Sequence, residues 1–93
     1  MHVGVVNFRI KLFGISSLKE KRSLVKRLIN DIRSKFNVSV SEVGMCDSKG
    51  WAEIGVAVVN SAKEVVDGTI EQISNILEST YGVEIVEFEK EGW

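Results

Sequence analysis

The strongest constraint on this chain is a change of hydrophobic period, from two to 3.6 and back, that occurs twice within 93 residues. Apolar residues at every second position share one face of a strand. Apolar residues three and four apart share one face of a helix. Val6, Phe8, Ile10 and Leu12 alternate with Asn7, Arg9 and Lys11, so residues 3–13 read as a half-buried strand. Gly14, Ser16 and Ser17 break it. Ser17 stands three before Glu20, the spacing of a capping box. From Leu18 to Phe36 the residues Leu18, Leu24, Val25, Leu28, Ile29, Ile32 and Phe36 occupy one arc of a helix.

Residues 38–45 read as a second strand with Val38 and Val40 inward, and the lost alternation at Glu42 and Val43 predicts a bend or bulge. Residues 46–50 form a loop of turn formers. Residues 51–59 make a third strand, with Ala52, Ile54, Val56 and Val58 on one face and Trp51, Glu53, Gly55, Ala57 and Val59 on the other. The unit then repeats. Ser61 stands three before Glu64 as a second capping box, and Val65, Val66, Ile70, Ile73, Ile76 and Leu77 line a second helix. That helix is expected to end near Tyr81, with Gly82 closing it in a left-handed conformation. Residues 83–89 are the last strand. Lys90 onward reads as a short tail, with Trp93 free to pack back.

Two copies of a split strand–helix–strand unit imply an α+β, ferredoxin-like βαββαβ sandwich. Four antiparallel strands form one sheet, and both helices cover one face. Right-handed crossovers put the first and third strands in the centre and the second and fourth at the edges. No linker divides residues 1–93, so one domain is expected.

The formal net charge of -1 hides an asymmetry. Residues 1–49 carry ten Lys or Arg against four Asp or Glu, +6; residues 50–93 carry two against nine, -7. At about 100° per residue, Lys19, Arg22, Lys26 and Arg33 lie within roughly 60° of one another, along about 21 Å of the first helix. Such a ridge suits a phosphate backbone, since each cation neutralises one phosphate and releases counterions. Arg9 and Lys11 extend it onto the sheet. Glu64, Asp67, Glu71 and Glu78 gather in the same way on the second helix, and Glu84, Glu87, Glu89 and Glu91 follow. Three readings share the basic ridge: a solvated helix flank, a polyanion site, or one half of a complementary self-association.

Other chemistry is scarce. His2 and Cys46 are too few for a metal set, and they pair as base and nucleophile only if folding joins them. The simpler place for Cys46 is a small buried or strand-end residue. A lone cysteine forms no internal bridge, which fits a reducing cytosol. No apolar run reaches the length of a membrane span, the first residues do not resemble a signal peptide, and no phosphate-binding glycine loop is present. No small-molecule cofactor is predicted. The ferredoxin-like shape itself serves RNA-recognition motifs, acyl-phosphate hydrolases and small-molecule sensors, so shape decides nothing. The outward residues of the first strand, Asn7, Arg9 and Lys11, are not the stacking aromatics of an RNA-recognition motif; only Trp51 can stack, or else serves as a rim or dimer contact. The amino end of the first helix, with Ser16, Ser17 and Lys19, offers a place for an anion. Outward Val3, Val5, Ala57 and Val59, with Trp51, leave an apolar sheet face that suits a homodimer or another protein partner.

Residues 17–26, SLKEKRSLVK, together with 36–43, FNVSVSEV, Asp47 and 52–59, AEIGVAVV, resemble the YlxP-like family of small bacterial proteins of unknown function. The resemblance covers nearly the whole chain. It implies a ferredoxin-like fold and offers no catalytic residues. Because genes of that family commonly sit beside those of translation initiation and ribosome maturation, it also implies ribosomal RNA or a ribosomal subunit as partner. The helix cap accounts for Ser17 and Glu20, and the core for Leu18 and Leu24. Lys19, Arg22 and Lys26 are left as the binding candidates.

Overall fold

Every strand of this chain pairs on both sides or ends the sheet, and its apolar face decides where the helices lie. The computed structural model describes residues 1–92. The elements are β1 (His2–Leu12), α1 (Leu18–Lys35), β2 (Ser39–Gly44), β3 (Trp51–Asn60), α2 (Lys63–Ser79) and β4 (Val83–Gly92). The sheet order is β2-β3-β1-β4, with every pair antiparallel, so β1 and β3 are central as the crossover rule requires. This is the ferredoxin-like α+β fold. Val6, Phe8, Ile10, Ile54, Val56 and Val58 form the sheet's contribution to the core. Val25, Leu28, Ile32, Val66, Ile70, Ile73 and Leu77 come down on it from the helices. α1 lies over β2, while α2 spans β1, β3 and β4.

The second strand slips register between Glu42 and Gly44, at the expected bulge. A further slip in β4 leaves Val86 unpaired opposite the step from Arg9 to Ile10. Four expectations need correction. The last strand does not stop at Glu89. Lys90 to Gly92 pair with Val6 to Gly4, because an edge strand is held by its backbone and tolerates polar side chains. Trp93, expected to pack back, lies outside the described residues. Ser61 does not cap α2: the N-cap is Ala62, which has no side-chain bond, and Asn60 Oδ1 accepts from the Ala62 amide at 3.0 Å instead. Val65 is half exposed rather than inward, because Val66, Ile70, Ile73 and Leu77 alone face the sheet.

The fourth correction concerns α1. Its buried residues are Lys21, Val25, Leu28 and Ile32, and Lys21 is fully buried. On a helical projection Lys21 falls between Leu28 and Val25, in the middle of the apolar arc. Its Nζ donates to Glu42 Oε2 at 2.6 Å and to the carbonyls of Met45 and Cys46 at 3.0 and 3.2 Å. All three ammonium protons therefore have acceptors, which is what allows this charge inside. The bonds tie α1 to the β2–β3 loop and hold Met45 in a left-handed conformation, φ 58°.

Candidate nucleic-acid interface

α1 starts where Ser17 caps it. Ser17 Oγ accepts from the Glu20 amide at 3.1 Å, and Glu20 answers by accepting from the Ser16 amide at 3.2 Å and from the Ser16 hydroxyl. The Ser16 bonds hold the Glu20 carboxyl below its ordinary pKa. The amino end of α1 therefore already carries an anion of its own. The expectation of a free anion there is corrected, because Glu20 takes that place.

Beyond the cap, Lys19, Arg22, Lys26 and Arg33 are all exposed along one flank of α1. Two contacts fix the direction of that flank. Arg33 Nη2 donates to the carbonyl of Val40, on the free edge of β2, at 3.2 Å. Arg22 Nη2 lies 3.7 Å from Asp47 in the β2–β3 loop. The ridge thus runs beside the β2 edge. Lys19 and Lys26 have no acidic partner at ion-pair distance among the described residues.

Arg9 and Lys11 lie elsewhere, on the sheet face away from the helices. Arg9 is 3.4 Å from Glu53 and 3.3 Å from Glu87, the centre of a chain of charge across three strands. Asn7 Nδ2 donates to Glu53 Oε2 at 3.0 Å, and this bond lowers the Glu53 pKa; partial burial opposes the shift and Arg9 reinforces it. The Lys11 ammonium sits 5.2 Å from the Phe13 ring centre and 5.9 Å from that of Trp51. On the same face Val3 pairs with Val59 and Val5 with Ala57, so the four candidate contact residues form one apolar block at the opposite end from Trp51. Val59 is 57% exposed and Val5 36%.

The structure does not join His2 to Cys46. His2 opens β1, paired with Asn60, while Cys46 lies in the loop at the other end of the sheet, about 33 Å away along an eleven-residue strand. Of the two places expected for Cys46, buried or at a strand end, the structure gives an exposed position just past the end of β2, where the loop closes over the Lys21 head group through backbone carbonyls alone. No helix of the described residues is long and apolar enough to cross a membrane, and no group of three metal-binding side chains occurs among them.

A family model described as "Protein of unknown function (DUF503)" matches residues 3–90. The chain belongs to that family. The uncharacterized protein YlxP of Bacillus subtilis (strain 168) is 30% identical over 77 residues, covering 83% of this chain and 84% of its own. Among solved structures, the de novo designed protein Foldit4 superposes with a TM-score of 0.52 at 21% identity, covering 98% of this chain and 96% of its own. A variant of SnoaB, a cofactor-independent oxygenase from Streptomyces nogalater, gives a TM-score of 0.51 at 11% identity, covering 99% and 90%. Both likenesses are of fold alone.

Two groups of residues escape a reading of the sequence. Lys21 is one, although its place on the apolar arc is a signal of burial. The other is an aromatic group of Phe13, Trp51 and Tyr81. They are distant in the chain, and β1–β3 and β1–β4 pairing brings them to one end of the sheet.

Proposed function

We propose that this protein is a non-enzymatic cytosolic factor that docks on structured RNA, in the first instance a ribosomal subunit, through the α1 ridge. One observation carries the reading. Lys19, Arg22, Lys26 and Arg33 stand exposed in one line beside the β2 edge, while β4 with its acids forms the opposite edge and acidic α2 lies over β1, β3 and β4. Capping and core packing explain Ser17, Glu20, Leu18, Lys21 and Val25 within the same stretch. They leave Lys19 and Lys26 without a structural task, and Arg22 with only a solvent-exposed 3.7 Å contact to Asp47.

The test is co-sedimentation with ribosomal subunits, and binding to structured RNA, across a salt series. Three to four phosphate contacts predict affinity falling about 40- to 150-fold between 50 and 200 mM salt. Arg22→Glu with Lys26→Glu should abolish binding, and Lys63→Glu on the other helix should not. Salt-independent binding, or full binding by the double variant, refutes the reading.

A second reading rests on the open sheet face. Val3, Val5, Ala57 and Val59 form a contiguous apolar block there, and such a block suits a second copy of the chain. Sedimentation equilibrium at micromolar concentration tests it: Val59→Glu should convert a dimer to a monomer, and a wild type that is strictly monomeric ends this reading.

A further inference from the structure

The end of the sheet where α1 begins carries three aromatic rings that the core does not use. Tyr81 is fully exposed, Phe13 is 48% exposed and Trp51 is half-buried. Their backbone is firmly held. The Leu12 amide donates to the Gly50 carbonyl and the Phe13 amide to the Gly82 carbonyl, both at 2.9 Å, so three connections are stapled to one another. Gly14 and Gly82, at φ +75° and +81°, make the turns that leave Phe13 and Tyr81 on the rim of a shallow cleft. Lys11 stands between the Phe13 and Trp51 rings.

Two rings beside a cation, Phe13 and Trp51 at Lys11, with Tyr81 across the cleft from Phe13, match the chemistry of a nucleic-acid base, which offers a flat π-face to stack and a phosphate beside it. Charge leads to the same place. The α1 flank passes Arg22 into the β2–β3 loop, and that loop ends at Trp51. On this face Glu84 is the acid paired in register with Lys11, while Glu53 and Glu87, one pair further along, are held by Arg9.

We propose that Phe13, Trp51 and Tyr81, with Lys11, form a stacking site for an unpaired RNA nucleotide next to the helix whose phosphates the α1 ridge holds. The inference rests on the ridge reading and adds the substrate class: a duplex with an unstacked base at its end or in a bulge. Stacking tolerates any base, so the site selects single-strandedness, not sequence.

The test compares two RNA hairpins by fluorescence anisotropy at one low salt concentration. Each carries a four-nucleotide overhang, one with bases and the other abasic, so the phosphates are equal in number. The wild type should prefer the base-bearing overhang by about tenfold. Phe13→Ala with Tyr81→Ala should bind both hairpins alike, at the abasic level. Both residues are surface-exposed, and a thermal melt confirms the fold. In a Trp93→Phe background, Trp51 fluorescence should be quenched by the base-bearing hairpin only. Glu84→Gln should tighten binding of both. If the wild type does not distinguish the hairpins while Arg22→Glu with Lys26→Glu still loses both, the stacking site is wrong and the ridge stands. If neither hairpin binds, both readings fall. If the alanine pair changes the oligomeric state and leaves RNA binding intact, the rings are a protein contact and the inference is overturned.

Discussion

Replacing Lys21 by methionine keeps an unbranched apolar stem of similar length and removes the ammonium. Three bonds go with it: the 2.6 Å pair with Glu42 and the bonds to the Met45 and Cys46 carbonyls. Two effects compete. Taking a lysine charge out of a fully buried position removes a desolvation cost. Against that, Glu42, whose side chain is only 17% exposed, is left as an uncompensated carboxylate, and breaking a buried pair this way costs about 3–5 kcal/mol. The carbonyls of Met45 and Cys46 belong to exposed residues, so water recovers part of their loss. The expected net cost is therefore at the low end, about 3 kcal/mol. In guanidinium chloride, where a small protein has an m-value of roughly 2–3 kcal/mol/M, the midpoint should fall by about 1–1.5 M at unchanged slope. Amides of residues 45–50 should lose hydrogen-exchange protection, because the left-handed Met45 turn loses its anchor. The double variant Lys21→Met with Glu42→Leu should recover most of the stability, since replacing both members of a buried pair by apolar groups is often neutral. A single variant that loses less than about 1 kcal/mol, or a double variant no better than the single, refutes the account.

A Cβ on Gly4 would lie 2.5 Å from Val66 Cγ1 and 2.8 Å from Ile70 Cδ1, both on α2 and both buried, so Gly4→Ala should cost about 2 kcal/mol and lower Tm by roughly 8–16 °C. An unchanged melt would show that α2 can retreat from β1. The Asn7 bond lowers the Glu53 pKa, so the ionised form favours the folded state; that contribution is present above the ordinary carboxylate pKa and is lost as pH falls through the lowered native value. Side-chain carbon NMR titration should find Glu53 below the ordinary range and Asn7→Ala should return it upward. A normal titration in the wild type contradicts this.

How much of the molecule is legible in its sequence follows from what each signal encodes. Period encodes which face is buried, so helix placement and the core residues Phe8, Ile54 and Ile73 follow from it, and the handedness of the crossovers then sets the strand order. It encodes nothing about strands held only by backbone bonds, which is why residues 90–92 of the edge strand read as a tail. Lys21 is hidden for a different reason. Charge ordinarily marks the surface, yet the angular position of Lys21 on α1 lies inside the apolar arc, and position outranks residue type when a partner such as Glu42 waits. The α2 start shows competition between local signals: Ser61 and Asn60 both suit a turn, and Asn60 takes the Ala62 amide. The exposed flank of α1 is legible because a helix places residues 19, 22, 26 and 33 together by itself. The group of Phe13, Trp51 and Tyr81 is not, since only long-range strand pairing assembles it.

The net charge of -1 is a poor guide to a polyanion partner, and the sheet explains why. The ridge runs along the β2 edge, and Glu87, Glu89 and Glu91 lie on β4 at the other edge, about 14 Å away across four strands. The Debye length at physiological salt is about 8 Å, so an approaching phosphate near the ridge is largely screened from those acids. At about 0.01 M salt it grows to roughly 30 Å, longer than the sheet is wide, and the acids are felt as repulsion. Two opposing dependences follow. Lower salt strengthens phosphate contacts through counterion release and at the same time admits the repulsion of the acidic edge. The plot of log affinity against log salt should therefore be steep near physiological salt and flatten toward about 0.01 M. Glu87→Gln with Glu89→Gln should straighten it by raising affinity at low salt alone. A line that is straight in the wild type, or a pair of substitutions that shifts affinity equally at all salt concentrations, would mean that the two edges are not electrically separate and that the ridge is not where the phosphate lies.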